Sequence, residues 1–298
     1  MELVDKLSNR QYIDGEWVES SNKNTRDIIN PYNQETIFTV AEGTKEDVER
    51  AILAARRSFE DGEWSLETSE VRGKKVRAVA DKIKENREEL AKLETLDTGK
   101  TLEESYADMD DIHNVFMYFA GLADKDGGEI INSPIPNAES KVVKEPVGVV
   151  TQITPWNYPL LQASWKIAPA LATGCSLVMK PSEITPLTTI RVFELMEEVG
   201  FPKGTINLVL GAGSEVGDVM SGHEEVDLVS FTGGIETGKH IMKQAANHVT
   251  DVALELGGKN PNIIFDDADF ELAVDQALNG GYFHAGQVCS AGSRILVH

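Results

Sequence analysis

The chain is poor in several features that would have fixed its class at once. Only two of its 298 residues are cysteine, Cys175 and Cys289, so no disulfide framework is implied and a reducing, cytoplasmic setting is the expectation. Basic residues are few against acidic ones, 28 against 49, for a net charge of −21. Such a surface repels polyanions, which argues against nucleic acid or an anionic membrane as a partner. No uncharged apolar run reaches membrane-spanning length. The opening Met1-Glu2-Leu3-Val4-Asp5 has neither the basic start nor the apolar middle of a signal peptide. There is no His-Glu-x-x-His and no cysteine pair at zinc spacing, so a catalytic metal is not indicated. What remains is ordinary for a globular protein, with 41% apolar and 26% charged residues. The length suits two domains or one large α/β unit.

After a strand-like opening, helical spacing dominates the first 145 residues. Thr44 fits an N-cap, with Asp47 and Glu49 in or near the first turn and Val48, Ile52, Ala55 and Phe59 at helical intervals. Val71, Val76, Val79, Ile83 and Leu90 draw one apolar stripe from Ser69 to Leu93, and a third helix is expected from Leu102 to about Ala123. Two prolines between Asn132 and Pro136 break the periodicity and mark an extended arm. From Gly148 onward strands and helices alternate. Strands are expected at Gly148–Ile153, Ser176–Met179, Thr205–Leu210 and Val226–Phe231, with Pro159 opening one helix and Thr185 capping another ahead of Pro186. The alternation predicts a parallel sheet covered by helices that binds ligands at the carboxyl ends of its strands. Asn262–Phe265, a helix from Asp269 and a strand at Arg294–Val297 begin a further α/β unit. A last strand ending at His298 without a closing element reads as a piece of a longer protein.

Chemistry concentrates in a few short segments. Cys289 stands in Gly286-Gln287-Val288-Cys289-Ser290. A glycine-flanked turn can present its sulfur to a pocket, and the thiolate is the nucleophilic form. Cys175, ahead of the apolar run Ser176-Leu177-Val178-Met179, reads as a buried, inert thiol. His284 could activate Cys289 as in cysteine hydrolases, but no third, orienting residue is evident, and pocket wall is the other reading. Glu255 lies in Glu255-Leu256-Gly257-Gly258-Lys259, beside a double glycine where backbone can pass close to a ligand, and is a candidate general base. Gly211-Ala212-Gly213-Ser214-Glu215-Val216-Gly217 is either a dinucleotide-binding turn with one residue too many before its third glycine or an ordinary strand-to-helix turn. Phe231-Thr232-Gly233-Gly234-Ile235-Glu236-Thr237-Gly238 is a second such turn, whose free N–H groups and helix dipole favour a pyrophosphate. In Lys180-Pro181-Ser182-Glu183, just past a strand end, the charged pair either binds a ribose or forms a surface salt bridge.

Together with Pro155-Trp156-Asn157-Tyr158-Pro159, these segments resemble the aldehyde dehydrogenase superfamily in order and spacing, over roughly the first three-fifths of a family subunit. The resemblance implies a Rossmann-type parallel sheet with helices on both faces. Residues 1–130 and 148–255 would form an NAD-binding domain, 131–147 an oligomerisation arm, and 256–298 the start of an incomplete α/β catalytic domain. It further implies oxidation of an aldehyde with NAD. Cys289 attacks the carbonyl, hydride leaves for the nicotinamide, and water activated by Glu255 hydrolyses the thioester, the glutamate favouring water over coenzyme A. The oxyanion donors implied are the Asn157 side chain and the Cys289 N–H. Lys166 would join a charge relay, against the plainer reading of a solvated helix lysine.

Cofactor contacts implied by the same resemblance are Thr154, Pro155, Trp156, Lys180, Pro181, Ser182, Glu183, Gly213, Gly217, Phe231, Thr232, Gly233, Gly234, Thr237, Gly238, Leu256 and Gly257. Family members usually carry serine where this chain has Gly234, which removes a hydroxyl and leaves the backbone amide. A carboxylate at Glu183 accepts ribose hydroxyls and repels a 2′-phosphate, favouring NAD over NADP. The substrate side would hold Tyr158, Trp165, Phe283, Val288 and Ser290. The three aromatics match a cage for a quaternary ammonium in the branch that oxidises betaine aldehyde to glycine betaine, while core packing explains aromatics equally well. In some relatives a position matching Asp97 joins carbonyls near Ile28 and Ile29 in holding a monovalent cation such as K+; a helix-end aspartate is the other reading. A homo-oligomer is expected. A non-catalytic dinucleotide-binding fragment, or a dehydrogenase for another aldehyde, are the competing readings.

Overall fold

The structure, a computed structural model, describes residues 3–125 and 127–298. Two short strand pairs open it, β1 (Gln11–Ile13) with β2 (Glu16–Val18) and β3 (Thr25–Ile29) with β4 (Thr36–Ala41). Four helices follow: α1 (Lys45–Glu60), α2 (Ser69–Glu85), α3 (Arg87–Thr98) and α4 (Leu102–Leu122). Strands β5 (Glu129–Ile131) and β6 (Ser140–Val142) make an exposed antiparallel hairpin. Then come β7 (Val149–Ile153), α5 (Pro159–Thr173), β8 (Ser176–Lys180), α6 (Leu187–Val199), β9 (Ile206–Leu208), α7 (Asp218–Gly222), β10 (Leu228–Gly233), α8 (Ile235–Ala245) and β11 (Asp251–Leu256). The chain continues as β12 (Pro261–Ile264), α9 (Phe270–Tyr282) and β13 (Arg294–Val297), with β12 and β13 parallel. No helix of the described residues is long and apolar enough to cross a membrane.

Strands β7 and β8 are buried at every position, the pattern of a strand covered on both faces. Their side chains alternate between two cores. Val150, Leu177, Met179 and Leu208 face α5 and α6 through Leu160, Leu171, Ile190 and Phe193. Val149, Val178 and Val209 face α1, α7 and α8 through Val48, Ile52, Met220 and Ile241. This is the expected α/β layering. The sheet runs β11-β10-β7-β8-β9-β1-β2, parallel from β11 to β9 and antiparallel at β1 and β2. The chain lays β8 and β9 outward on one side of β7, then returns to place β10 on the other. Strand order therefore reverses between β7 and β10, and a crevice opens at their carboxyl ends.

Several elements differ from the sequence reading. The stripe over Ser69–Leu93 is two helices, because Asn86 leaves helical geometry at φ −102°, ψ 17° and its side-chain amide donates to the Lys82 carbonyl. Asparagine offers the backbone this alternative to the helical ladder. Helix α6 is not capped by Thr185, whose hydroxyl donates to the Trp156 carbonyl. The Leu187 N–H is taken instead by Asp97, reaching across from α3 at 2.8 Å. Strand β10 begins at Leu228, since Val226 is drawn into a turn on His223. Strand β11, which carries Glu255, is an element that the periodicity does not mark.

Gly148, just before β7, has φ +129°. A Cβ there would lie 1.9 Å from Asp227 Oδ2, the oxygen that accepts from the Val149 N–H at 2.7 Å and from Arg56 at 2.6 Å. Gly148→Ala is expected to lower unfolding free energy by roughly 2–4 kcal/mol, the sum of left-handed backbone strain and overpacking. Urea titration of parent and variant checks it; an unchanged midpoint would show that the Asp227 carboxylate moves aside freely.

Candidate active site

The crevice at the strand reversal holds a cavity of about 550 Å³. Sheet register explains who meets there. Lys180 and Ile153 end neighbouring strands level with Phe231 of β10, and one step beyond, Thr232 stands beside Glu255. From β7 the wall continues through Thr154, Pro155, Trp156 and Asn157, and from β8 through Lys180, Ser182 and Glu183. Strand β10 and the start of α8 add Phe231, Thr232, Gly233, Gly234 and Thr237, and β11 adds Glu255, Leu256 and Gly257. The far wall is Gly286, Gln287, Val288 and Cys289. Residues nominated for a dinucleotide and residues nominated for covalent chemistry thus border one space.

Its dinucleotide side has the chemistry to receive hydroxyls and phosphates. Lys180 is buried and donates to Glu183 Oε2 at 3.1 Å and to the Pro181 carbonyl at 2.9 Å. Burial pushes the Lys180 ammonium down, partly countered by Glu183. Burial raises Glu183, but Lys180, a backbone amide and Arg26 together leave its carboxyl below the usual range. The hydroxyls of Thr154 and Thr232 and the carbonyl oxygen of Gln162 are buried without a protein partner. Gly213, Gly234 and Gly257 face open space where a Cβ would stand, so a ligand can lie against bare backbone. Helix α8 has no side-chain cap, and Gly234 and Thr237 at its start line the cavity, where a helix N-terminus favours an anion.

On the chemical side, Cys289 is exposed and Cys175 is buried at the head of β8. The Asn157 side-chain amide donates to the Gln287 carbonyl at 2.7 Å, linking the turn after β7 to the cysteine turn. Lys166 is not a solvated helix lysine. It is buried, donates to Ser230 Oγ at 2.9 Å, and accepts at its carbonyl from Gln152. Burial pushes its ammonium down to about 8, with the negative charge of Glu255 acting in the opposite direction.

Other nominated residues lie elsewhere. Pro181, Lys166 and Ser290 do not line the cavity. Gly217 closes the π-helical turn Gly213–Gly217, and Gly238 lets α8 approach β11, a Cβ there falling 2.9 Å from Leu256 Cδ2. The three aromatics are not assembled around one space. Trp165 lines the cavity, whereas Phe283 lines a second hollow of about 400 Å³ with Thr98, Lys100 and Glu104. Tyr158 turns toward α3 and α4, where the Lys100 ammonium lies 4.3 Å from its ring centroid and the His284 ring packs against it, tilted by 58°, at 4.9 Å. Lys100 is itself buried against Asp108 at 2.5 Å and Glu94 at 3.7 Å. Asp97 serves α6 as described, its other oxygen has no protein partner, and burial holds its carboxyl well above the usual range. Among the described residues no cluster of three or more His, Cys, Asp or Glu side chains is arranged to hold a metal ion.

Gln162, Ile153, Gly286 and Gln287 also line the cavity and were not among the nominated residues. A signal for Gln162 was present: counting from Pro159, it falls on the helical face shared with Trp165 and Lys166. For Lys100 there was none, since nothing local marks a lysine beside a helix end as buried.

A lysine whose folded pKa is depressed binds its proton less tightly than in the unfolded chain, so its contribution to stability rises with pH between about 8 and the ordinary 10.5. Lys166→Met is therefore expected to be stabilised relative to the parent at about pH 7, with the advantage shrinking by about pH 9.5. Chemical denaturation at both pH values checks the sign. A gap that widens with pH would contradict burial as the dominant cause.

The description "Aldehyde dehydrogenase family" belongs to the family model that matches residues 17–298. Betaine aldehyde dehydrogenase of Bacillus subtilis (strain 168) is 67% identical over 98% of this chain and 59% of its own length. Betaine aldehyde dehydrogenase 1 of Oryza sativa subsp. japonica is 48% identical over 96% of this chain and 58% of its own. A crystal structure of betaine aldehyde dehydrogenase from Staphylococcus aureus in complex with NAD+ superposes with a TM-score of 0.99 at 90% identity, over 100% of this chain and 59% of that one. The chain thus spans about three-fifths of the length of these relatives. From the match along nearly all of its length, on the sheet and cavity described, the chain belongs to the aldehyde dehydrogenase family.

Proposed function

We propose that the protein carrying this chain oxidises a cationic aldehyde, betaine aldehyde foremost, with NAD as acceptor. One observation carries the reading: Cys289, Glu255, and the Lys180–Glu183 pair border a single cavity at the strand reversal. The partnerless threonine hydroxyls, the bare glycine backbone at Gly213 and Gly234, and the ribose-level pair Lys180 and Glu183 suit a dinucleotide. NAD, when bound, supplies the acceptor for the hydride that leaves the substrate carbon.

Every other part of the reaction falls to the chain's own residues. Cys289 Sγ forms a bond to the carbonyl carbon, and the carbonyl electron pair moves onto oxygen. The Cys289 N–H and the Asn157 amide hold that charge, for which Asn157 must give up its 2.7 Å bond to the Gln287 carbonyl. Once hydride has gone, the carbon is a thioester of Cys289. Glu255 removes a proton from the attacking water, the acid leaves, and the thiolate returns. Lys166, buried at Ser230, lies close enough to Glu255 to feel its charge and stands behind that part of the site.

A cationic substrate is supported by Trp165 in the cavity wall and by the names that the relatives carry. Tyr158 contributes less than the cage reading expected, because one approach to its ring already holds Lys100. Residues 1–130 and 148–255 serve as the cofactor-binding unit in this reading, and 256–298 begin the unit that carries Cys289. The hairpin between them exposes Ile130, Ile135 and Val143, a surface suited to a second copy of the protein.

Two experiments bear on the proposal. Cys289→Ala should abolish NADH formation while NAD still binds, Cys175→Ala should keep most activity, and Glu255→Gln should give a burst of NADH followed by a stalled steady state as thioester accumulates. Loss of activity tracking Cys175, or a Glu255 variant without a burst, sinks the assignment; NAD binding without turnover in the parent favours a non-catalytic dinucleotide-binding protein. Trp165→Ala should lower the preference for betaine aldehyde over an uncharged aldehyde of similar size about tenfold, as expected for a lost cation–π contact of about 1–2 kcal/mol. Competition kinetics read it, and equal loss on both aldehydes would make Trp165 a packing residue.

A further inference from the structure

The turn that delivers Cys289 is built against backbone preference. His284, Ala285 and Gly286 follow one another with φ of 49°, 55° and 76°, a left-handed run in which only the glycine is free of steric cost. Two non-glycine residues persist there only if their surroundings hold them. Within this left-handed run the fastenings belong to His284, while further on Asn157 and Asn260 donate to the Gln287 and Cys289 carbonyls. The His284 backbone N–H donates to Glu104 Oε1 at 3.1 Å, and the same carboxylate's other oxygen closes the capping box with Thr101 at the start of α4. Its Nε2 lies 2.9 Å from the Asn157 carbonyl. Since a carbonyl only accepts, Nε2 carries the proton. The ring is buried against Tyr158, which is backed in turn by Lys100. Asn157 then returns the connection through its side chain to Gln287. The cysteine turn and the Asn157 turn are therefore joined twice, once by each residue's side chain.

We infer that His284 is a positioning residue: its Nε2–H, donated to the Asn157 carbonyl, fastens the left-handed turn to the Asn157 turn, so that the Asn157 amide, once released from the Gln287 carbonyl, and the Cys289 N–H can serve one oxygen. This rests on the dehydrogenase reading above. It gives His284 neither the role of general base nor that of mere pocket wall, because the imidazole points at backbone and not at Cys289. Neutral imidazole with the proton on Nε2 and imidazolium both donate there, so the clamp holds in either protonation state.

Two variants separate the hydrogen bond from the bulk of the ring. H284Q keeps a donor at the same reach, and H284F keeps a ring against Tyr158 without a donor. In the protein carrying this chain, H284Q is expected to stay within about threefold of parental kcat. H284F should lose roughly 10- to 100-fold in kcat with little change in aldehyde KM or NAD affinity, as for a misplaced but intact catalytic group. Amide hydrogen exchange over residues 283–289 reads the same clamp without turnover, rising about tenfold in H284F and remaining parental in H284Q. A fully active H284F, an H284Q as slow as H284F, or equal exchange in both variants overturns the inference. A parent enzyme that forms no NADH would sink the dehydrogenase reading alone, and the exchange measurement would still decide the clamp.

Discussion

The reversal of strand order between β7 and β10 is the constraint on which everything else here depends. Two adjacent parallel strands send their following segments to opposite faces of the sheet, α5 to one core and α8 to the other. No connection covers the ends of the strands between them. Because parallel strands align their carboxyl ends, residues far apart in sequence, Lys180, Ile153, Phe231 and Glu255, arrive within a step or two of one level. The site is thus a property of topology first and of side chains second.

Three buried lysines around this region show how partner chemistry sets a charge. Lys100 lies between two carboxylates and the face of Tyr158. Lys180 has one carboxylate, in Glu183, and burial still pushes its ammonium down. Lys166 has only the neutral hydroxyl of Ser230 in direct contact and is pushed down to about 8. For Lys180 and Lys166 burial disfavours the ammonium, and a nearby carboxylate opposes it. Lys166, with a hydroxyl for its direct partner, sits behind the strand that carries Ser230.

Much of this was legible in the sequence. The alternation after Gly148, the helix start at Pro159, and the glycine turns flanking Glu255 and Cys289 are local signals, and the structure places their products around one cavity. What local pattern could not carry were contacts across the fold. The hydroxyl of Thr185 sits where a cap belongs, yet Asp97, 90 positions away in sequence, takes that task. Tyr158 follows Asn157 in a recognisable motif, but its ring direction is set by Lys100 and His284. The start of β10 moved because Val226 was claimed by a turn. The first two misses came from partners distant in the chain overriding a local preference, the last from a short turn on His223 that competes with the strand.

Gln287 borders both the cavity at the strand reversal and the smaller hollow beside Phe283. The partition between the two spaces is therefore only one residue thick, and it is the residue whose carbonyl takes the Asn157 amide. A body seated in the smaller hollow would touch a residue that also borders the larger one. The two chambers share a wall, and the nucleophile stands two positions along the chain from it.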